Sequence, residues 1–137
     1  EREAMRPEGP GLSQQFPLYG FRYQDADWRE KMQRESPLAA IPSLQAPAYI
    51  WAGAVDERVP LKSIVNYVGH ARRLGKSVSL LVDPRAGHVP ESALGAEAYL
   101  YLIERAAHRH FGGTLASVSP TLQAFLRSNL RVDVEAR

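Results

Sequence analysis

Two short apolar segments decide the fold of this chain: Ala48-Tyr49-Ile50-Trp51-Ala52 and Val78-Ser79-Leu80-Leu81-Val82. Their length and their bulky apolar residues are typical of buried strands. Between them, apolar residues recur at helical spacing from Leu61 to Leu74. Pro60 stands at a plausible first helical position and Gly75 follows the last apolar residue, which favours a helix between these two ends. The stretch therefore predicts a strand, a helix and a second strand.

A further helix is predicted after the second strand. It ends before Gly112-Gly113, and its apolar positions are Leu94, Tyr99, Leu102, Ile103 and Ala106. Residues 48–112 thus predict a βαβα unit whose strands are parallel and joined by a right-handed crossover. Two parallel strands do not form a stable sheet alone, and the residues before 48 show no clear third strand. We therefore expect an α/β fold in which this unit is the edge of a larger parallel sheet, incomplete without upstream strands.

The two ends of the chain differ from this unit. Residues 1–24 are rich in Pro and Gly and predict an irregular lead-in, followed by a short helix at about 27–35 that Ser36-Pro37 ends. An aromatic cluster from Phe16 to Trp28 is expected to pack in a core or to line an apolar pocket. Near the other end, Ser119-Pro120 predicts an amphipathic helix with the apolar stripe Leu122, Phe125, Leu126 and Leu130. Residues 131–137 are compatible with a strand or a frayed end.

The composition excludes several functional classes. The chain has 137 residues, of which 45% are hydrophobic and 23% charged, as in an average globular domain. A net charge of +2 provides no basic stripe for nucleic acid or for an anionic membrane surface. Because there is no Cys, the chain has no disulfide, no zinc–thiolate site and no Cys nucleophile. The compartment stays open, because cytosolic and exported proteins can both lack Cys.

Two loops that follow the strands carry the candidate chemistry. Asp56 lies in the loop after the first strand, and His88 lies in the loop after the second. Neighbouring parallel strands are about 4.8 Å apart, so loops leaving the same sheet edge can bring a carboxylate against an imidazole. That pair is the orienting half of a Ser-His-Asp relay. The alternative is that the Asp caps the next helix and the His is a solvated loop residue.

The other histidines predict no site. His70 lies on the first predicted helix of the βαβα unit, where we expect it at the surface. His108 and His110 fall in the last turn of the next helix, where a cation interacts favourably with the helix dipole. Positions i and i+2 do not share a helix face, so these two do not predict a metal pair. The sequence implies no metal and no organic cofactor.

Three segments together carry a family resemblance. Ser36-Pro37-Leu38, the stretch 46–60 (APAYIWAGAVDERVP) and Gly87-His88 resemble the C-terminal part of the prolyl oligopeptidase family, which are α/β-hydrolase serine peptidases. The resemblance covers residues 36–112. The separation of 32 positions between the Asp and the His suits the dipeptidyl-peptidase and acylaminoacyl-peptidase branches.

The resemblance implies roles for individual residues. Asp56 would be the triad acid and His88 the triad base, and Arg58 and Val59 match positions that border the substrate site in this family. Residues 1–35 and 36–113 would then belong to the hydrolase domain, with 114–137 as a C-terminal extension. The partners implied are a peptide substrate and a segment that carries the nucleophile, and an oligomer is compatible with the sequence.

The nucleophile of that family is not found in this sequence. It stands in a Gly-x-Ser-x-Gly elbow that precedes the acid. Gly11-Leu12-Ser13-Gln14-Gln15 lacks the second Gly, and Gly75-Lys76-Ser77-Val78-Ser79 lies after the acid at a helix end. We therefore expect a C-terminal piece of a hydrolase, whose Ser lies in an upstream segment or a companion chain.

Three functions follow as hypotheses. The first is the acid/base half of a serine peptidase that cleaves oligopeptides through an acyl-enzyme. The second is a carboxylic-ester hydrolase of the same fold, because the two share triad chemistry. The third is a non-catalytic fragment that binds a partner through its sheet edge and through the stripe Leu122–Leu130.

Overall fold

The computed structural model describes residues 26–134, without the side chain of Trp28. The predicted lead-in over residues 1–24 and the aromatic cluster Phe16–Trp28 therefore lie outside the described residues. The chain divides into two compact units, with the boundary between Ser43 and Leu44. No helix within residues 26–134 is both long enough and apolar enough to cross a membrane.

The described part of the first unit consists of helix α1 (Ala26–Arg34), helix α2 (Pro37–Ala40) and a 3-10 turn (Ile41–Ser43). The break between the helices falls where Ser36-Pro37 predicts it, because a residue before Pro avoids the helical region. The Ser36 hydroxyl accepts the N–H of Leu38 at 3.3 Å and caps α2. Ile41 is fully buried.

The second unit contains the predicted strands and helices in the predicted order. Its elements are β1 (Ala48–Gly53), α3 (Leu61–Arg73), β2 (Val78–Asp83), α4 (Ala93–Phe111), α5 (Pro120–Asn129) and β3 (Leu130–Val132). Strands β1 and β2 are parallel, in a register that runs from Ala48 opposite Val78 to Gly53 opposite Asp83. Both strands therefore end at the same level, and their following loops leave the sheet side by side.

The third strand corrects the expectation of a wholly parallel sheet. Strand β3 pairs with β2 in the antiparallel sense, so the sheet has the order β1-β2-β3 and is mixed. One crossover helix returns the chain for a parallel strand, whereas two helices separate β2 from β3. We call the C-terminal residues 114–134 the tail; through β3, the tail covers one edge of β2. Among residues 26–134, no strand pairs with the outer side of β1.

The core of this unit lies between the sheet and helices α4 and α5. Its buried residues are Leu81, Ala98, Leu102 and Leu122. Phe125, Leu126 and Leu130 are partly buried and pack against them, so the predicted apolar stripe of residues 122–130 faces this core. Leu130 itself begins β3 and does not extend the helix.

A buried polar contact fastens the tail. Arg105 on α4 is only 7% exposed, and one of its terminal nitrogens donates to both carboxylate oxygens of Asp133, at 2.9 and 3.0 Å. The hydroxyl of Ser79 on β2 accepts the N–H of Val134 at 2.9 Å. Helix α4, strand β2 and the residues after β3 are thereby joined, which keeps the third strand in place.

Candidate active site

The loops that follow β1 and β2 are hydrogen-bonded to each other along their main chains. We call residues 54–60 the acid loop and residues 84–92 the base loop. The N–H of Ala54 donates to the carbonyl of Asp83 at 2.8 Å, and the N–H of Val55 donates to the carbonyl of Ala86 at 3.1 Å. These bonds continue the parallel pairing beyond the strands and hold the two loops close together.

Gly53 makes this approach possible. A Cβ at this position would collide with the carbonyl oxygens of Gly87 and Ala86 and lie 2.8 Å from the carbonyl carbon of Ala86. All three atoms belong to the main chain, so they cannot move aside as a flexible side chain can. The absence of a side chain at the end of β1 therefore lets the base loop cross over the start of the acid loop.

Asp56 accepts two main-chain hydrogen bonds inside the acid loop. Its side chain is 8% exposed, and its Oδ1 accepts the N–H groups of Arg58 at 2.8 Å and Val59 at 2.9 Å. Helix α3 begins after Pro60, which makes no side-chain cap, so Asp56 is not the N-cap of that helix. The main-chain donors fix the carboxylate plane and leave Oδ2 for another partner.

That partner is His88. Its Nδ1 lies 3.0 Å from Oδ2 of Asp56, so the structure brings the two candidate residues into hydrogen-bond contact. An ionised carboxylate has no hydrogen to give, so Nδ1 carries the proton of this bond. In the neutral ring, Nε2 then has a free lone pair. The side chain is 51% exposed, and within residues 26–134 no protein group is hydrogen-bonded to Nε2.

The surroundings of Asp56 keep it ionised. Burial by itself raises the pKa of its carboxyl group, but four contacts lower it: the N–H of Val59, the hydrogen bond with His88, the N–H of Arg58 and the positive charge of protonated His88. Together they place the pKa of Asp56 below its usual value. The carboxylate is therefore charged at neutral pH and favours a proton on Nδ1.

Arg58 and Val59, for which the resemblance implies contact with substrate, have exposed side chains beside this pair. Their main-chain N–H groups hold the Asp56 carboxylate, a role that sequence reasoning did not assign to them. An Asp followed two and three residues later by free N–H groups is a common turn arrangement, and that local signal was present in the sequence.

Two further carboxylates belong to this region: Asp83 directly precedes the base loop, and Glu91 lies within it. Asp83 is 3% exposed, its Oδ1 accepts the N–H of Arg85 at 3.1 Å, and its Oδ2 packs against Gly95 of α4. It therefore faces the helix. Glu91 accepts the N–H of Gly87 through Oε1 at 3.0 Å and closes the base loop around His88. Sequence reasoning did not assign a role to Glu91, because its contact depends on the path of the loop.

The remaining histidines lie apart from this pair. His70 is on α3, with its Nδ1 3.5 Å from Arg73, and His108 and His110 are in the last turn of α4. Within residues 26–134, no group of His, Asp and Glu side chains is arranged to hold a metal ion.

A curated protein is similar to most of this chain. The acylamino-acid-releasing enzyme of Rattus norvegicus is 29% identical over 102 residues. The match covers 71% of this chain and 13% of that enzyme, so the chain corresponds to a small part of its relative. No protein-family model and no solved structure matches the chain.

The geometry provides a carboxylate-oriented base at a sheet edge. A half-exposed imidazole with a free Nε2 can take a proton from a hydroxyl group that approaches from outside. The resulting imidazolium is stabilised by the carboxylate behind it. Among residues 26–134, no serine hydroxyl is hydrogen-bonded to His88.

Proposed function

We propose that this chain carries the acid and the base of a serine hydrolase that cleaves oligopeptides through an acyl-enzyme. The observation that carries the proposal is the hydrogen bond between Asp56 and His88, with the acid held by two main-chain donors. An Asp that serves only a turn has no need of an imidazole partner 32 residues away. The similarity to a peptidase of the prolyl oligopeptidase family supports the same reading.

In this proposal the base acts twice. Nε2 of His88 takes the proton of a serine hydroxyl while the serine oxygen attacks the scissile carbonyl carbon. Asp56 stabilises the imidazolium that forms. The imidazolium then gives its proton to the leaving amine as the C–N bond breaks, and an acyl-serine ester is left. A water molecule gives a proton to Nε2 and attacks the ester carbonyl carbon, the bond from that carbon to the serine oxygen breaks, and the imidazolium returns the proton to the serine oxygen, which releases the acid product and restores both residues.

The nucleophile in this proposal comes from a companion segment or chain. The sequence contains no Gly-x-Ser-x-Gly elbow, and the chain matches only 13% of the length of its relative. The outer side of β1, which pairs with no strand in the described part, is where further strands of a hydrolase sheet would add. The acid and base loops lie at the end of this strand, within reach of a residue on a neighbouring one.

The proposed substrates are peptides, with acylated amino acids among the products. This part of the proposal rests on the printed name of the relative and on the family resemblance of Arg58 and Val59. Both side chains are exposed next to the acid, where they can contact a bound peptide. A carboxylic-ester hydrolase would use the same pair of residues, so the choice between them is made by substrate.

The experiment is labelling with a fluorophosphonate, which reacts with activated serine hydroxyls. The chain is purified with every polypeptide to which it is attached or bound. We expect one labelled serine outside residues 26–134, hydrolysis of acetyl-alanine p-nitroanilide, and loss of labelling in His88→Ala. The rate should fall on the order of 10⁴-fold in that variant.

His108→Ala is the matched control, because this residue lies in the last turn of α4 and should leave turnover within a few-fold. An assembly that the probe does not label would contradict the proposal and favour the non-catalytic hypothesis. Hydrolysis of p-nitrophenyl esters without cleavage of any peptide or anilide would favour the carboxylic-ester hydrolase.

A further inference from the structure

We propose that Glu91 is a positioning residue for His88. In this inference its carboxylate fixes the main chain at Gly87, the residue that precedes the histidine, and thereby the direction in which the imidazole leaves the base loop. The inference rests on the proposed function, since it assigns a residue that acts through the catalytic base.

The base loop is held at Gly87 from two sides. The N–H of Gly87 donates to Oε1 of Glu91 at 3.0 Å, and the carbonyl oxygen of Gly87 lies against the Cα of Gly53 at the end of β1. The same Glu91 oxygen would be 2.9 Å from a Cβ on Gly87, so the carboxylate lies tight against this residue. Gly87 is therefore confined between the end of β1 and the Glu91 side chain.

His88 depends on this confinement more than a buried residue would. Its side chain is 51% exposed, so packing restrains the ring weakly. Its hydrogen bond to Asp56 is the one polar contact that the ring makes within residues 26–134. The remaining restraint is the main chain on either side. The Glu91 contact holds the N–H of residue 87, so losing that contact should let the main chain leading into His88 shift and weaken the bond to Asp56.

A structural role in α4 alone would give a different result. Glu91 precedes Ser92, whose hydroxyl accepts the N–H of Gly95 at 3.0 Å and caps that helix. A negative charge near a helix N-terminus stabilises the helix through its dipole. If this were its only contribution, the neutral Gln variant would lose it, whereas a hydrogen-bond acceptor for Gly87 is preserved in Gln.

The test uses NMR on the full chain at neutral pH, with Glu91→Ala, Glu91→Gln and the size-matched Glu91→Leu. Two signals are followed: the low-field Nδ1 proton of His88 and the exchange rate of the Gly87 amide. In Glu91→Ala and Glu91→Leu we expect the Gly87 amide to exchange about tenfold faster and the Nδ1 proton signal of His88 to broaden or vanish. Glu91→Gln should keep both signals, and Glu97→Ala, at an exposed position on α4, should change neither.

Two results would overturn the positioning role while leaving the proposed function intact. One is an unchanged Nδ1 proton in both Glu91→Ala and Glu91→Leu, and the other is a Gln variant that behaves like the Ala variant. A wild-type chain that shows no low-field Nδ1 proton would overturn both, because the pair that Glu91 is proposed to orient would not exist.

Discussion

At the scale of single residues, two aspartates at the ends of the two strands have opposite surroundings: Asp56 lies three residues after β1, and Asp83 is the last residue of β2. Asp56 accepts three hydrogen bonds, one of them from an imidazole. Asp83 is more deeply buried, and its Oδ2 has no hydrogen-bond partner within the described residues. Both are aspartates near the end of a predicted strand, so the residue type and the position of either one are compatible with a triad acid. The difference lies in where each side chain points, which depends on the loop geometry.

The lowered pKa of Asp56 predicts a specific loss of stability in acid. Because its folded pKa lies below the unfolded value of about 3.9, its contribution to the free energy of unfolding is present above that value and disappears as the pH falls through the folded pKa. We expect wild type to lose more stability than Asp56→Asn between about pH 5 and about pH 3. Urea unfolding at each pH measures this.

The Asn variant is the appropriate comparison, because its carbonyl oxygen can still accept from Arg58 and Val59 while it cannot titrate. Other carboxylates titrate equally in both proteins, so the difference between the two curves isolates Asp56. If the free energies of unfolding of the two proteins changed in parallel over this pH range, the contacts of Asp56 would not lower its pKa in the folded state.

At the scale of elements, the site depends on two strands that end at the same level and on Gly53, the last residue of β1. The parallel register aligns Gly53 with Asp83, and the two main-chain bonds beyond it bring the loops into contact. Asp56 and His88 are then the third and fifth residues after their strands. The pair therefore follows from strand pairing together with the absence of a side chain at Gly53.

Replacing Gly53 with Ala should separate the acid from the base. The new Cβ would collide with main-chain oxygens of the base loop, so the loop must move, at a cost of roughly 1–3 kcal/mol in the free energy of unfolding. Fluorophosphonate labelling should fall with it. The Nδ1 proton of His88 reports the separation directly by NMR.

Gly69→Ala is the control, because it lies within α3 and a Cβ there meets only the end of the Arg73 side chain, at 3.5 Å. It should raise the stability by about 0.5–1 kcal/mol, since Ala loses less entropy than Gly in a helix. If Gly53→Ala were as well tolerated as Gly69→Ala, the close approach of the loops would not be required.

At the scale of the whole second unit, the sheet is completed on one side by the tail and left unpaired by the described residues on the other. The tail is fastened by apolar packing of α5 and by the contact of Arg105 with Asp133. The Arg side chain is 8% exposed, so removing the Asp133 carboxylate would take a negative charge away from a nearly buried positive one.

Asp133→Ala should therefore lower the free energy of unfolding by on the order of 3 kcal/mol. Thermal and urea unfolding check this. Replacing both partners with apolar residues, Arg105→Met with Asp133→Leu, should restore much of the loss, because no charge is then buried. Glu30→Ala breaks the exposed pair with Arg34 and should cost less than about 1 kcal/mol. Equal losses in Asp133→Ala and Glu30→Ala would show that the contact between Arg105 and Asp133 does not hold the tail.

The sequence by itself determined the order and extent of the main elements. The apolar runs at 48 and 78 are strands, and the periodic segments before Gly75 and Gly112 are helices, each within a residue or two of the predicted ends. Such signals are local, because burial and chain turning at these points depend on residues that are neighbours in the sequence. Asp56 and His88 were found by the same logic, since each follows a strand.

The tertiary structure alone decided three things. It made the third strand antiparallel, because the direction of β3 depends on how α4 and α5 pack and not on the residues of the strand itself. It directed Asp83 toward α4 and Asp56 toward His88. It also brought Glu91 back to Gly87. Each of these contacts joins groups whose separation in space is set by packing between elements, about which a local pattern carries no information.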